Sequence, residues 1–271
     1  AIGKAAINVA DTESNNLAVG QNALAGAIAG GEYNVAVGNY SLDALTSGDA
    51  NTVIGYNAGG ALTAATNNVI IGHLAGDALQ TGSSNTIIGD NAVGVGVLTG
   101  GNNVVMGRNA GEDLTSAASN VIIGVDAAKQ GTTGENNVVI GTNAQGSGIA
   151  TGNNNVVLGY GAGFDMTSGA DNVAIGYNAG KEITIGTYST LVGRNAGAEM
   201  IEERLTAVGY YAGGNTTGNL NNYFGFNCGS GNTSGTNNVA FGYNALYQPD
   251  TETHNLAIGN AALGGAIAGG E

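Results

Sequence analysis

The chain has 271 residues, a formal net charge of -14 and only 10% charged residues. Proteins bind the phosphate backbone of nucleic acids through clustered lysines and arginines. The six lysines and arginines of this chain are scattered along the sequence, so we expect no nucleic-acid partner. They are Lys4, Arg108, Lys129, Lys181, Arg194 and Arg204. No stretch approaches the ~18 apolar residues of a membrane-spanning helix, so we expect no membrane insertion in this segment.

A glycine recurs every 16 to 18 residues along the whole chain. These glycines are Gly3, Gly20, Gly38, Gly55, Gly72, Gly89, Gly107, Gly124, Gly141, Gly159, Gly176, Gly193, Gly209, Gly225, Gly242 and Gly259. The interval is too short for a helix pair or a propeller blade, but it fits one coil of a parallel β-solenoid. We therefore expect residues 1–271 to form a single continuous all-β solenoid of about 16 coils, with about 17 residues in each.

Each glycine follows a short apolar segment rich in β-branched residues, such as Val69-Ile70-Ile71 or Val121-Ile122-Ile123. This composition predicts a strand bounded by turns. Alternate side chains of a strand point to opposite faces, and here both faces are apolar. One face fills the coil and the other needs a partner chain, which predicts a homotrimer. We expect Ile70, Ile87, Ile122 and Val139, each two before a glycine, to pack between chains or in a shared core.

Asparagine stands four residues before the glycine in thirteen of the fifteen coils that include this position. They are Asn16, Asn34, Asn51, Asn68, Asn85, Asn103, Asn120, Asn137, Asn155, Asn172, Asn221, Asn238 and Asn255, with Ser189 and Leu205 as the exceptions. Asparagine tolerates left-handed backbone, so it suits the corner before each strand. Stacked asparagines also bond to one another, which predicts an Asn ladder.

Three residues after the glycine stands alanine in fourteen of sixteen coils, and the exceptions are Ser41 and Cys228. A small residue at a repeated position indicates that other backbone passes close by. The glycine itself indicates a bend or a close approach where a Cβ would collide. Cys228 is the only cysteine, so we interpret it as a buried substitute for alanine.

The repeated Asn-Val-Ala-Ile-Gly pattern, as at Asn172–Gly176, followed by two variable residues and a small one, resembles the YadA-like head of trimeric autotransporter adhesins. It also resembles Asn- and Gly-rich repeats of bacteriophage tail fibres. The resemblance covers essentially the whole chain and implies a left-handed parallel β-roll, an intertwined or side-by-side homotrimer, on a bacterial cell surface or a virion. The coil is longer than that of the adhesin head, so adhesin and phage fibre both stay open.

These patterns favour the structural shaft of an extracellular fibre, which spaces an adhesive or receptor-binding tip from its anchor. The alternative is an adhesin module that grips a host-surface glycan or protein along its side. An ice-binding solenoid is a weaker alternative, because no face outside the Asn corner is uniform. Neither histidine, His73 or His254, belongs to a catalytic or metal-ligand constellation, so we expect no enzyme and no cofactor.

Acidic residues recur five or six positions after the glycine. They are Asp43, Asp77, Glu112, Asp113, Asp165, Glu182 and Glu199. Two interpretations stay open: a divalent cation that bridges neighbouring coils, or a solvated acidic corner that keeps fibres from clumping, which we favour.

Aromatic residues recur directly after the glycine, and we name them the aromatic file. They are Tyr56, Tyr160, Tyr177, Tyr210, Phe226 and Tyr243. Exposed rings can stack on sugars, which makes the last five candidate glycan contacts. The alternative, which we favour, is that the rings stack on each other from coil to coil.

Residues 1–32 and 240–271 align without gaps, with 19 of the 32 positions identical. Much of the identity lies in the variable loop, as in Gly26–Glu32 against Gly265–Glu271, which the coil pattern does not require. We therefore expect a segment of a longer fibre with a 239-residue super-repeat, which continues end to end in the same chain.

Overall fold

The structure, a computed structural model, describes residues 1–7, 15–26, 30–200, 204–248 and 251–265. It confirms the predicted fold class, because the described residues form a parallel all-β solenoid with about 17 residues per coil and without a helix. The chain divides into two compact units, residues 1–136 and residues 137–271. The runs at 11–13 and 266–271, which belong to the predicted super-repeat, lie outside the described residues.

The first unit contains seven described strands of three residues each, and neighbours in the chain pair in parallel. They are β1 Leu17–Val19, β2 Val35–Val37, β3 Thr52–Ile54, β4 Val69–Ile71, β5 Thr86–Ile88, β6 Val104–Met106 and β7 Val121–Ile123. The pairing is in register, since Val69, Ile70 and Ile71 lie opposite Thr86, Ile87 and Ile88. Equivalent positions of successive coils therefore stack in columns.

The second unit repeats this arrangement with eight described strands. They are β8 Val138–Ile140, β9 Val156–Leu158, β10 Val173–Ile175, β11 Thr190–Val192, β12 Thr206–Val208, β13 Asn222–Phe224, β14 Val239–Phe241 and β15 Leu256–Ile258. Each strand is bounded by turns that complete the coil. Short strands suffice here because hydrogen bonds between coils continue through the turns, as from Asn178 N–H to the Tyr160 carbonyl at 2.9 Å.

The core of each unit lies inside the coil of the single chain. The middle residue of every strand points inward, and Ile70 and Ile87 are both fully buried. The prediction that these residues pack between chains is therefore wrong. The neighbouring core positions are the small residue three after the glycine, such as Ala75, and the residue seven after it, such as Leu79, and both are 0% exposed.

The repeated glycine is required by both its conformation and its surroundings. Gly72 has a φ of +143°, a region that side chains rarely adopt. A Cβ at Gly72 would also lie 2.4 Å from the carbonyl oxygen of Gly89 in the next coil. The glycine column therefore lets successive backbones pass within a distance that any larger residue prevents.

Left-handed backbone occurs three more times in each coil, but not at the Asn ladder. In the coil of Gly72, positive φ values are found at Asn67, Leu74 and Gly76. Asn68, the ladder residue, is not among them, so the predicted left-handed corner lies one residue earlier than expected. That earlier position accepts varied residues, among them Ala50 and Arg204, because hydrogen bonds between coils fix its conformation.

Candidate binding surfaces

The Asn ladder is buried and links coil to coil through the side-chain amides. In the first unit the Asn51 Oδ1 atom accepts hydrogen bonds from both the backbone N–H and the Nδ2 of Asn68, at 3.1 and 3.0 Å. The Nδ2 of Asn51 donates onward to the Ala65 carbonyl at 2.9 Å. The ladder therefore satisfies backbone groups that the turn leaves inside the coil, and its role here is structural.

The second unit shows what happens where asparagine is absent. Ser189 replaces it and still accepts a hydrogen bond, because its Oγ lies 3.2 Å from the Leu205 nitrogen. Leu205 comes next, is fully buried, and has no side-chain acceptor. The amide ladder resumes beyond it, where the Asn221 Oδ1 atom accepts the backbone N–H of Asn238 at 2.8 Å.

The outward strand face consists of the residues one and three positions before each glycine. In the first unit Ile54 is 40% exposed and Val69 is 37% exposed, although both are apolar. In the second unit Val239 is 41% exposed and Phe241 is 59% exposed. Apolar side chains exposed along one face in both units make this face a candidate surface of interaction.

The rings of the aromatic file stack on each other. Tyr160 and Tyr177 lie with ring centroids 5.3 Å apart and an interplanar angle of 9°. Phe226 lies between Tyr210 and Tyr243, at 4.7 and 5.3 Å, with nearly parallel rings. Stacking covers both faces of Phe226, so this ring presents its edge to a ligand.

Two of the acidic residues of the first unit, Asp77 and Glu112, accept hydrogen bonds from asparagines of the preceding coil. The Nδ2 of Asn91 donates to Glu112 Oε1 at 2.8 Å, and Asn57 makes the equivalent bond to Asp77. Burial raises the pKa of Asp43 and of Asp77 above the ordinary value of 3.8. Among the described residues no group of three or more acidic, histidine or cysteine side chains is arranged to hold a metal ion.

A cleft of about 720 Å³ opens in the second unit beside the aromatic file. Four aromatic residues line it, together with four residues that carry an amide or hydroxyl, and one glycine. They are Tyr210, Tyr211, Phe226 and Tyr247, then Asn215, Asn227, Ser230 and Gln248, then Gly231. We name it the aromatic cleft. Sequence reasoning identified Tyr210 and Phe226 but missed Tyr211 and Tyr247, and the adjacent tyrosines at 210 and 211 are the only sequence signal for it.

A smaller cavity of about 220 Å³ lies at the equivalent side of earlier coils in the same unit. It is lined by Asn143, Tyr160, Gly161, Phe164, Asn178 and Lys181. Both cavities begin at the position directly after the glycine; the smaller one extends to the position five after it, and the aromatic cleft to the position six after it.

Cys228 is buried, and burial raises the pKa of its thiol to about 11. A buried, protonated thiol is a poor nucleophile, and this surrounding fits a packing role. Next to it Tyr223 occupies the inward strand position and is fully buried, with its hydroxyl hydrogen-bonded to the Asn232 side chain. In the two coils around Tyr223, the core position seven after the glycine holds Thr216 and Asn232, which are small or polar. The large ring of Tyr223 fills the space that an apolar residue takes up in other coils.

No protein-family model matches this chain, and no curated protein matches it at a significant level. The resemblance to adhesin heads and phage fibres therefore stays a prediction drawn from the repeat. In the part of the chain that the structure describes, no helix has the length and apolar character needed to span a bilayer.

Proposed function

We propose that the chain is a structural shaft segment of an extracellular fibre and that three copies associate through the outward strand face. The observation that carries the proposal is this outward face, which is partly exposed and whose residue one before the glycine is apolar on strand after strand in both units. A solenoid coil fills its own interior, so its outward residues gain nothing from apolar character unless another surface covers them.

The face has the dimensions of an interface. Seven strands at ~4.8 Å spacing extend roughly 29 Å in the first unit. Burying an apolar side chain of this size contributes about 1.5–3 kcal/mol relative to full exposure, and half-exposed residues recover part of that. The position one before the glycine is apolar in every described strand, from Val19 to Ile258, so each coil adds a contact of the same kind. The number three comes from the resemblance, whereas self-association comes from this face.

Molar mass in solution tests the proposal. Light scattering coupled to size exclusion should give about three times the 26.5 kDa of the chain. Ile71→Lys should dissociate the assembly, because three copies would place three positive charges at one level of the fibre. The variant chain should still fold, because the side chain at this position of β4 points outward. Thr63→Lys, on a partly exposed turn outside the strand face, is the matched control.

A folded and soluble wild-type monomer would refute the assembly and leave the outward face unexplained. A dimer would preserve the argument from the apolar face and reject the resemblance that supplies the number three. Retention of the trimer in Ile71→Lys would show that the copies meet elsewhere.

A further inference from the structure

We propose that the aromatic cleft is a binding site for a neutral saccharide. The inference goes beyond the shaft role, since a fibre spaces its ends without any side-chain site along its length. It also differs from the idea that the aromatic file itself holds a glycan, because two of the four aromatic residues of the cleft, Tyr211 and Tyr247, lie outside the file.

The walls of the cleft suit a ligand that is flat and apolar on one side and rich in hydroxyls at its edge. Tyr247 is 43% exposed and lines the cleft from outside the file. A pyranose ring places its axial C–H bonds against an aromatic ring, while its hydroxyls donate to and accept from amide side chains. Asn215, Asn227 and Gln248 supply such amides, and Ser230 a hydroxyl.

The cleft is built in advance of any ligand. The hydroxyl of Tyr211 donates to Asn215 Oδ1 at 2.8 Å, which fixes the ring. A Cβ added at Gly214 would lie 2.6 Å from an atom of the Tyr211 ring. The ring can therefore occupy this position only because residue 214 is glycine. The Ser230 Oγ is held at 3.0 Å from the Asn227 carbonyl. A site whose groups are already ordered loses little conformational entropy on binding.

Charge and volume narrow the ligand class. None of the nine lining residues carries a formal charge, and the chain as a whole has a net charge of -14, which disfavours sialylated or sulfated glycans. Burial first, and then the negative charge of Glu199, raise the pKa of Tyr211, so its hydroxyl stays protonated at neutral pH. The volume of about 720 Å³ lies within the range of small-ligand sites and admits a short oligosaccharide.

The site is compatible with the proposed assembly, although either proposal can fail alone. No lining residue belongs to the columns one or three before the glycine, which form the outward strand face. Molar mass reports on assembly, whereas the experiment below reports on the cleft and uses whatever oligomer the full chain forms.

The test is an array of neutral hexose and N-acetylhexosamine oligosaccharides beside their sialylated and sulfated counterparts, probed with the full chain. We expect retention on neutral glycans, and the tightest neutral oligosaccharide is then titrated by tyrosine fluorescence, for which the absence of tryptophan is an advantage. Tyr247→Ala should weaken binding roughly tenfold and Tyr211→Phe roughly threefold, through a lost ring contact and a lost hydroxyl. Tyr188→Asn, at an exposed tyrosine outside the cleft, should leave the affinity unchanged.

Three results would overturn the proposal: no neutral glycan retained, retention of acidic glycans alone, or unchanged affinity in Tyr247→Ala. Circular dichroism and melting temperature establish that each variant is folded. If Tyr247→Ala fails to fold, Gln248→Ala takes its place, because it removes an amide from the same wall.

Discussion

Replacement of Asn68 separates the two roles of a ladder asparagine. Its side chain donates a hydrogen bond to the preceding coil and accepts one from the following coil. Asn68→Ala removes the oxygen that accepts the Asn85 backbone N–H at 2.9 Å and leaves that buried donor unpaired. It also removes the Nδ2 donor to Asn51, whose Oδ1 keeps its bond from the Asn68 backbone. Asn68→Ser keeps an oxygen at this place, as Ser189 does for Leu205.

The magnitudes follow from these contacts. An unpaired buried N–H costs about 1–3 kcal/mol, and a lost hydrogen bond about 0.5–1.5 kcal/mol. Asn68→Ala should therefore destabilise by about 1.5–4.5 kcal/mol. Asn68→Ser should be at least about 1 kcal/mol less harmful, because its hydroxyl replaces the acceptor.

Denaturant unfolding gives the free-energy difference between the two variants, and amide hydrogen exchange at Asn85 locates it. Protection of the Asn85 amide should fall strongly in Asn68→Ala and much less in Asn68→Ser. Equal stability of the two variants, within about 0.3 kcal/mol, would refute the assigned role of the Asn68 oxygen.

Two further predictions concern packing and pH. Ala179→Leu inserts three carbons at a fully buried position and should lower the free energy of unfolding by about 1–3 kcal/mol. Ala64→Leu, on the surface, is the control and should have the melting temperature of the parent. If the melting temperature of Ala179→Leu differs from that of the parent by only a degree or two, the small-residue interpretation is wrong. Because the pKa of Asp43 is raised in the fold, the folded state binds protons more tightly, so stability should rise as pH falls from neutrality toward the ordinary value of 3.8. Asp43→Asn should raise the melting temperature at pH 7 and reduce that pH dependence, and a parent whose stability only falls on acidification would contradict it.

The solenoid was predictable because each coil repeats a steric requirement. Gly72 and its equivalents cannot be replaced without collision, and Ala75 and its equivalents have no room for more. Such requirements leave a strict trace in sequence. The left-handed positions leave a weaker trace, since a hydrogen bond between coils, from Tyr188 N–H to the Ala170 carbonyl, holds a positive φ even at a tyrosine.

Pairs that compensate each other across a coil were not predictable. Tyr223 takes the inward strand position only because Gly229 leaves space, since a Cβ there would lie 2.4 Å from the ring. Tyr211 and Tyr247 line the same cleft because their coils are stacked close together, although 36 positions separate the two residues in sequence. Neither pair repeats, so neither produces a periodic signal.

The orientation of the strand was within reach of the sequence but was missed. Alternate residues share a face, so the ladder asparagine four before the glycine and the apolar residue two before it lie on the same side. An asparagine whose amide bonds two backbone groups has to be inside, as Asn51 is, and Val53 must then be inside with it. The outward side consequently carries the residues three and one before the glycine and the aromatic file directly after it.

This parity relates the two proposals to one another. Because the file borders the outward strand face, a second chain packed on that face would approach its ring edges, and stacking already covers both faces of Phe226. A glycan that bound along the file would therefore compete with assembly. Tyr211 and Tyr247 lie beyond the file, five or fewer residues after their glycines, so a ligand held there leaves the strand face to the other chains. A saccharide that binds in the cleft, against Tyr211 and Tyr247, is therefore compatible with a trimer formed through the strand face.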